Sequence, residues 1–327
     1  MHDAQMEPDA GVAFTNLDEP LFADAGATKR DLVDYLTAVS DAILAELRDR
    51  PLSVIRVLRG QQPFMQKNVP SYTPPWVRTV RFWAETSKRD VSYALCNDER
   101  TLLWFANQRA VEYHPALVRA ERMQSPMYLV LDLDPPSPDD FASAVRVAHA
   151  VRDVLAQTGL VAAVKTSGAK GLHIFVPLED ADFDDVAAAG RALAGRVERA
   201  EPALATTAFV KEDRGGKVFV DSTRVGGATV AAAYSPRARA GVPVSFPVGW
   251  DDLHEVSPLD FTMHTAPRLL AGRDRWRNSM PAAQQLPGEL IEQGRAIPVA
   301  RVQAMHAGLR RARARRARDH DSGGSGE

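Results

Sequence analysis

A chain of 327 residues, 45% hydrophobic and 25% charged, has the balance of an ordinary globular protein and can bury one large core or two smaller ones. Its single cysteine, Cys96, excludes a disulfide within the chain, leaves almost no scope for a cysteine-built zinc site, and fits a reducing cytoplasm. No apolar run approaches the roughly eighteen residues of a membrane span, the acidic start MHDAQMEPDAG lacks a secretory pattern, and a net charge of −2 points by itself to no partner.

Residues 1–27 carry only acidic charges and read as a flexible acidic N-terminus. From Thr28, an N-cap threonine followed by Leu32, Tyr35, Leu36, Val39, Ile43 and Leu47 at three- and four-residue steps predicts one helix that ends before Pro51. LSVIRVLR, VSYALCN and TLLWFANQ then read as strands of a small N-terminal sheet, being rich in β-formers and separated by polar turns. Between Gly60 and Trp76 there is too much proline for regular structure. That loop interleaves Phe64, Lys67, Tyr72 and Trp76, a mixture able to stack bases and neutralise phosphate, or simply a tethered surface loop.

In MYLVLDLDPP, Met127 to Pro136, an apolar strand ends in two aspartates and two prolines. Residues two apart on a strand share a face, so Asp132 and Asp134 stand side by side, about 7 Å apart, with Leu133 turned away. Paired anions call for a cation, and carboxylate oxygens suit Mg²⁺ or Mn²⁺; a solvated acidic strand end is the plainer reading. A helix follows from about Asp139, with Phe141, Val145, Ala148, Val151 and Leu155 on one stripe and Gly159 as its stop.

VAAVKTSGAKGLHIFVPL places Ser167, Gly168, Lys170, Gly171 and His173 at or near a tight turn between two strands. Bare N–H groups, a hydroxyl, an ammonium and an imidazole make an anion cradle, although the pattern alone fits an ordinary β-turn with a structural histidine. It is not a Walker A loop, because the spacing is too short and a strand follows. KVFVD carries a third carboxylate, Asp221, to a strand end. Three such acids with a phosphate cradle between them would support two divalent ions in phosphoryl or nucleotidyl transfer. Near the C-terminus, RRARARRAR packs six arginines into nine positions, Arg310 to Arg318, as a solvated tail or a phosphate-binding arm.

From about Thr28 to Leu290 the sequence resembles the polymerase domain of bacterial ligase D, a member of the archaeo-eukaryotic primase superfamily. YLVLDLDPP matches the family's metal motif, KTSGAKGLHIFVPL its nucleotide motif and KVFVD its third acid. TKRDLVDYL, FMQK, LLWFAN, VEYHP, AYSPRARAG and PVSFPVGWDDL follow in the family's order. The resemblance implies an α/β (α+β) fold, a primase-type core with two sheets around a central cleft and helices outside. It divides the chain into an N-terminal subregion of about 28–125, a catalytic subregion of about 126–290 and a helical, basic tail over 291–327 that ends in disorder.

Carried over, Asp132, Asp134 and Asp221 would be metal-binding catalytic acids. His114, Ser167, Lys170, Gly171, His173 and Arg237 would hold the nucleoside triphosphate. Lys29 and Lys67 match basic positions around the DNA strand or its 5′-phosphate, and Phe64 a template-stacking loop. The implied activity is DNA-directed nucleotidyl transfer onto a primer 3′-hydroxyl with two Mn²⁺ or Mg²⁺ ions, a preference for ribonucleotides, and short-gap filling in repair or end-joining. The implied partners are gapped or broken duplex DNA with a 5′-phosphate, nucleoside triphosphates, a separate DNA ligase and an end-binding protein, in the cytoplasm at the nucleoid and away from membranes. No ligase or nuclease module is expected in this chain.

Departures lie at Ser222 and Val225 in DSTRV, where tyrosine and asparagine are typical, at Ala233 in place of proline, and near Ala116, where a tryptophan is usual. Three other readings stay open: a manganese-dependent glycosyltransferase using a nucleotide sugar, a haloacid-dehalogenase-type phosphatase, for which Pro135 and Pro136 are wrong, and a catalytically weak DNA-end-binding module.

Overall fold

The computed structural model describes residues 11–84, 89–225 and 228–298. The arginine run at 310–318 and the first ten residues lie outside the described residues. Residues expected to be flexible before Thr28 pack from Val12 onward: Val12, Phe14, Leu21, Ala25 and Ala27 are buried, and Pro20 bridges to Thr28. Apolar side chains interleaved with the acids explain this, since they give the segment surface to bury.

Helices α1 (Lys29–Ala38) and α2 (Ser40–Leu47) occupy the stretch expected as one helix. Thr28 starts it with a capping box, its hydroxyl accepting from the Asp31 N–H and the Asp31 carboxylate accepting from the Thr28 N–H at 2.7 Å. The break falls at Val39, φ −111° and ψ 11°, where a β-branched residue followed by serine gives the helix little local support. Strands β1 (Pro51–Arg56), β2 (Phe64–Gln66), β3 (Thr79–Ala84) and β4 (Arg89–Leu95) precede helix α3 (Glu99–Asn107) and strand β5 (Ala110–Pro115). The α3 segment TLLWFANQ was expected as a strand. Its β-forming aromatics mislead because Leu102 to Ala106 are buried on every side, erasing the helical period, while Asp98 caps the first turn by accepting from the Thr101 N–H at 2.7 Å.

The second half runs β6 (Tyr128–Asp134), α4 (Phe141–Gln157), β7 (Ala163–Thr166), β8 (Leu172–Pro177), α5 (Phe183–Ala200), β9 (Ala205–Thr206), β10 (Val218–Asp221), α6 (Ala266–Leu270), α7 (Arg275–Ser279) and α8 (Gly288–Arg295). The architecture is the expected mixed α/β one, with one sheet from each half. In the first, β1 is central, pairing with β5 along one edge and with β4 and β2 along the other, and β3 lies outside β4. In the second the order is β7-β8-β6-β10-β9, antiparallel except for β9 against β10. Helices α4 and α5 pack on this sheet and α8 packs on α5, so closely that a Cβ at Gly294 would stand 1.8 Å from the Ala188 carbonyl oxygen.

An irregular segment, 229–248, stitches the sheets together. The Ala232 N–H donates to Tyr113 O of β5 at 2.9 Å, and further along the Thr166 N–H of β7 donates to Phe246 O at 2.9 Å. One hydrophobic core spans both halves, from Val12 to Leu290. Among the described residues no helix is long and apolar enough to cross a membrane.

Candidate active site

Strand register builds the site. Lys165 of β7 pairs with His173 of β8, His173 with Asp132 of β6, and Asp132 with Asp221 of β10. Direct cross-strand partners share a face, so these four side chains form one polar row across the second sheet. Asp134 lies two residues further along the same face, opposite Phe219. The row is sunk into the molecule: Lys165, His173 and Asp221 are buried, whereas the Asp134 side chain is 35% exposed at the strand end.

The turn after β7 sits against the end of β6. Ser167 organises it, its N–H donating to Gly171 O at 2.8 Å while its hydroxyl accepts from the N–H groups of Ala169 and Gly171. Gly168 holds φ +68°, and a Cβ there would meet Arg237 Cγ and Ser245 N at 2.7 Å. At Gly171 a Cβ would fall 1.9 Å from Leu133 O, so this glycine is demanded by the contact with the aspartate strand. Lys170 reaches over it, 3.0 Å from Asp134 Oδ1 and 2.5 Å from Pro135 O.

Cations hold the three carboxylates, as their mutual repulsion requires. Arg224 spans two of them, with Nη2 2.9 Å from Asp132 Oδ2 and Nε 3.4 Å from Asp221 Oδ2. Arg214 pairs with Asp134 Oδ2 at 2.9 Å and lays its guanidinium over Phe219, 3.9 Å from the ring centroid. Asp221 also accepts from Thr223 N–H and hydroxyl at 2.8 and 2.6 Å. Burial pushes the Asp132 carboxyl up from the usual range, and the neighbouring Asp221 and Asp134 charges add to this against Arg224. Arg224 is pushed up in turn, because Asp132 and Asp221 outweigh its own burial.

A guanidinium drawn between Asp132 and Asp221 marks a concentrated anionic cradle of hard oxygen donors, a donor set that suits Mg²⁺ or Mn²⁺. Among the described residues no three such side chains yet converge on a single point, with Asp134 turned toward Arg214 and Lys170.

A second cluster abuts the turn. Glu112 and His114, two apart on β5 and so on one face, are joined by a 2.8 Å contact between Oε2 and Nε2. The Glu112 carboxylate accepts from Arg237 Nε and from the Ala238 N–H, both at 2.9 Å, and Arg237 Nη1 donates to Ser167 O. Burial opposes ionisation of Glu112, but the His114 hydrogen bond and the Arg237 charge prevail and hold its pKa down at about 2. Burial pushes His114 down against the pull of Glu112. For His173, burial and then the Lys165 charge push the imidazole well below its ordinary value, so it is neutral near pH 7.

Of the residues singled out in the sequence, Asp132, Asp134, Asp221, Ser167, Lys170, Gly171, His173, His114 and Arg237 come together here. Lys29, Phe64 and Lys67 lie on the first half. Lys29 is buried, donates from Nζ to Thr15 O at 2.5 Å, and is pushed down to about 8 by burial and by Arg109, with Glu19 opposing. Phe64 and Lys67 are exposed on and just after β2, with Arg56 6.0 Å from the Phe64 ring centroid.

Sequence reasoning missed Lys165, Glu112, Arg214 and Arg224. Glu112 had a signal, its alternation with His114 in VEYHP, and Lys165 stands at the head of KTSGAKGLH; the two arginines had none beyond proximity to Asp221. The departure at Ser222 faces away from the row, toward α5, where a Cβ at Gly190 would be 3.3 Å from Ser222 Cβ.

The family model described as the LigD primase-polymerase domain matches residues 28–276. The bifunctional non-homologous end joining protein LigD of Bacillus subtilis (strain 168) is 33% identical over 258 residues, 77% of this chain and 41% of that protein. The multifunctional non-homologous end joining DNA repair protein LigD of Mycobacterium tuberculosis (strain ATCC 25618 / H37Rv) is 36% identical over 258 residues, 75% of this chain and 34% of that protein. The chain thus matches well under half the length of these relatives. Among solved structures, the polymerase domain from Mycobacterium tuberculosis ligase D in complex with DNA superposes with a TM-score of 0.74 at 31% identity, covering 84% of this chain and all of that one.

Proposed function

The chain belongs to the LigD primase-polymerase domain family, and from that premise we propose that it is a DNA-directed nucleotidyltransferase that fills short gaps in DNA repair and end-joining. The observation that carries this reading is the registered row: Asp132 and Asp221 are direct cross-strand partners, with His173 and the Ser167–Gly171 turn beside them. Asp132, Asp134 and Asp221 would hold divalent Mg²⁺ or Mn²⁺. When bound, such ions lower the barrier for attack by a primer 3′-hydroxyl on the nucleotide's α-phosphate and stabilise the departing pyrophosphate.

The protein's own groups bind and orient. The Ser167 hydroxyl and the Lys170 ammonium at the turn bind the triphosphate, and Arg237, anchored by Glu112 and by Ser167 O, supplies a fixed guanidinium beside them. His173 and His114, both neutral, offer hydrogen bonds without adding charge. Phe64 and Lys67 form a separate DNA-facing surface, one ring for stacking and one cation for phosphate. Lys29 can offer its cation to a phosphate only after leaving Thr15. The partners are gapped or broken duplex DNA with a 5′-phosphate, nucleoside triphosphates, a DNA ligase activity and an end-binding protein; ribonucleotides are preferred.

The test is extension of a short-gapped duplex bearing a downstream 5′-phosphate, comparing ribo- and deoxynucleotides under Mg²⁺ and Mn²⁺. Template-directed incorporation is expected with either ion, with ribonucleotides favoured. No incorporation by the wild-type chain under any of the four conditions would overturn the proposal.

A further inference from the structure

One end of the polar row is a lysine that reaches no solvent. Lys165 is wholly buried on β7 and touches three electron-rich groups: His173 Nδ1 at 2.8 Å, Ser245 Oγ, and the face of the Phe175 ring, 5.6 Å from its centroid. Ser245 Oγ donates its own hydrogen to Thr166 O at 2.7 Å, so it turns lone pairs toward the lysine. Burial, and then the Arg237 charge, push Lys165 well below its ordinary value, and amine and ammonium alike can donate, so the direction of the contact with His173 is set by what faces the far side of the ring.

An imidazole that accepts at Nδ1 carries its hydrogen on Nε2. In His173 that nitrogen faces the carboxylate row, 3.6 Å from Asp132 Oδ1. The opposite tautomer would set a nitrogen lone pair against a carboxylate oxygen. We propose that Lys165 is a positioning residue that fixes His173 as the Nε2–H tautomer, so that the imidazole presents a hydrogen-bond donor to anionic oxygens at the reaction centre, those of a nucleoside triphosphate. Lys165 touches no substrate, being shielded behind His173 and Phe175; it acts through the ring. Only the identity of the ligand rests on the nucleotidyl-transfer reading, since the tautomer follows from the packing alone.

Nitrogen-15 NMR of the whole chain with labelled histidine tests this, the His173 signals being identified by their loss in His173→Gln. At neutral pH we expect a protonated-type Nε2 and an unprotonated-type Nδ1. A hydrogen on Nδ1, or an average of the two tautomers, in the wild-type protein would overturn the assignment. Lys165→Met should mix the tautomers and raise KM for the nucleotide about three- to tenfold, the value of one hydrogen bond, with a smaller change in kcat. An unchanged KM in folded Lys165→Met would end the positioning role. Wild-type protein with the expected tautomer but no nucleotide incorporation would instead retire the polymerase reading and leave the lysine–histidine assignment standing.

Discussion

The second sheet and the edge of the first treat charge in opposite ways. Across β7, β8, β6 and β10 every ionisable group of the row is fixed by strand register and answered by a partner within the fold, Arg224 for Asp132 and Asp221, Ser245 for Lys165. At β2 the three-residue strand leaves Phe64 and Met65 about two-fifths exposed and Lys67 pointing into solvent. On the proposed function, chemistry that tolerates no more than sub-ångström error would sit on the rigid element, and contact with a long variable polymer where side chains can adapt. Substitutions in the two regions should therefore differ in kind: loss of rate in the row, loss of affinity at the edge.

The strongest test of that contrast is Asp132→Asn. Incorporation should fall by about a thousandfold or more, as expected when a transition-state charge contact is removed, while thermal stability moves little because Arg224 keeps Asp221. Gap-filling rate and melting temperature read the two halves separately; activity within tenfold of wild type would detach the row from the chemistry.

Glu112 comes next, and it sharpens the comparison by linking the sheets. Its folded pKa of about 2 lies below the ordinary 4.5, so its contribution is present above pH 4.5 and is lost as pH falls toward 2. That contribution is about 3 kcal/mol. Denaturant melts across that window should show the decline in the wild type and a flatter profile, from a lower starting stability, in Glu112→Gln. A parallel decline in the variant would show that other carboxylates carry the acid sensitivity.

The smallest effects belong to the edge. Phe64→Ala should weaken binding of gapped DNA by about 1–3 kcal/mol, the range for one stacked base. Its melting should match the wild type within about 0.5 kcal/mol. Lys67→Gln should remove any preference for a 5′-phosphorylated gap, at most about 1 kcal/mol, measured by competition between phosphorylated and unphosphorylated duplexes. A rate defect at saturating DNA in either variant would erase the distinction between the regions.

Where local chemistry decides structure, the sequence was legible. YLVLDLDPP announces an apolar strand, two same-face acids and a stop; KTSGAKGLH announces a turn between strands; Thr28 announces a helix start. What was hidden depends on partners distant along the chain. Lys165 reads as a stray polar residue in an apolar strand until His173 and Ser245, eighty residues on, close around it. Arg214 and Arg224 look like loop cations, and only the β6–β10 pairing brings them onto Asp134 and Asp132. The α3 segment failed for the opposite reason, since complete burial removes the polar face by which a helix is recognised.

Gly171 has a consequence for anyone mapping this protein by saturation mutagenesis. Its missing Cβ is what lets the turn lie against Leu133 O, where any other residue would collide with backbone at 1.9 Å. Every substitution there should score as inactive, and the position would be taken for a ligand contact on that pattern alone. The defect would instead be mechanical: the turn lifts off β6, Ser167 and Lys170 move with it, and added nucleotide cannot restore the lost seating. A library screened for folding alongside activity would separate this glycine from Asp132, whose variants should be inactive yet intact.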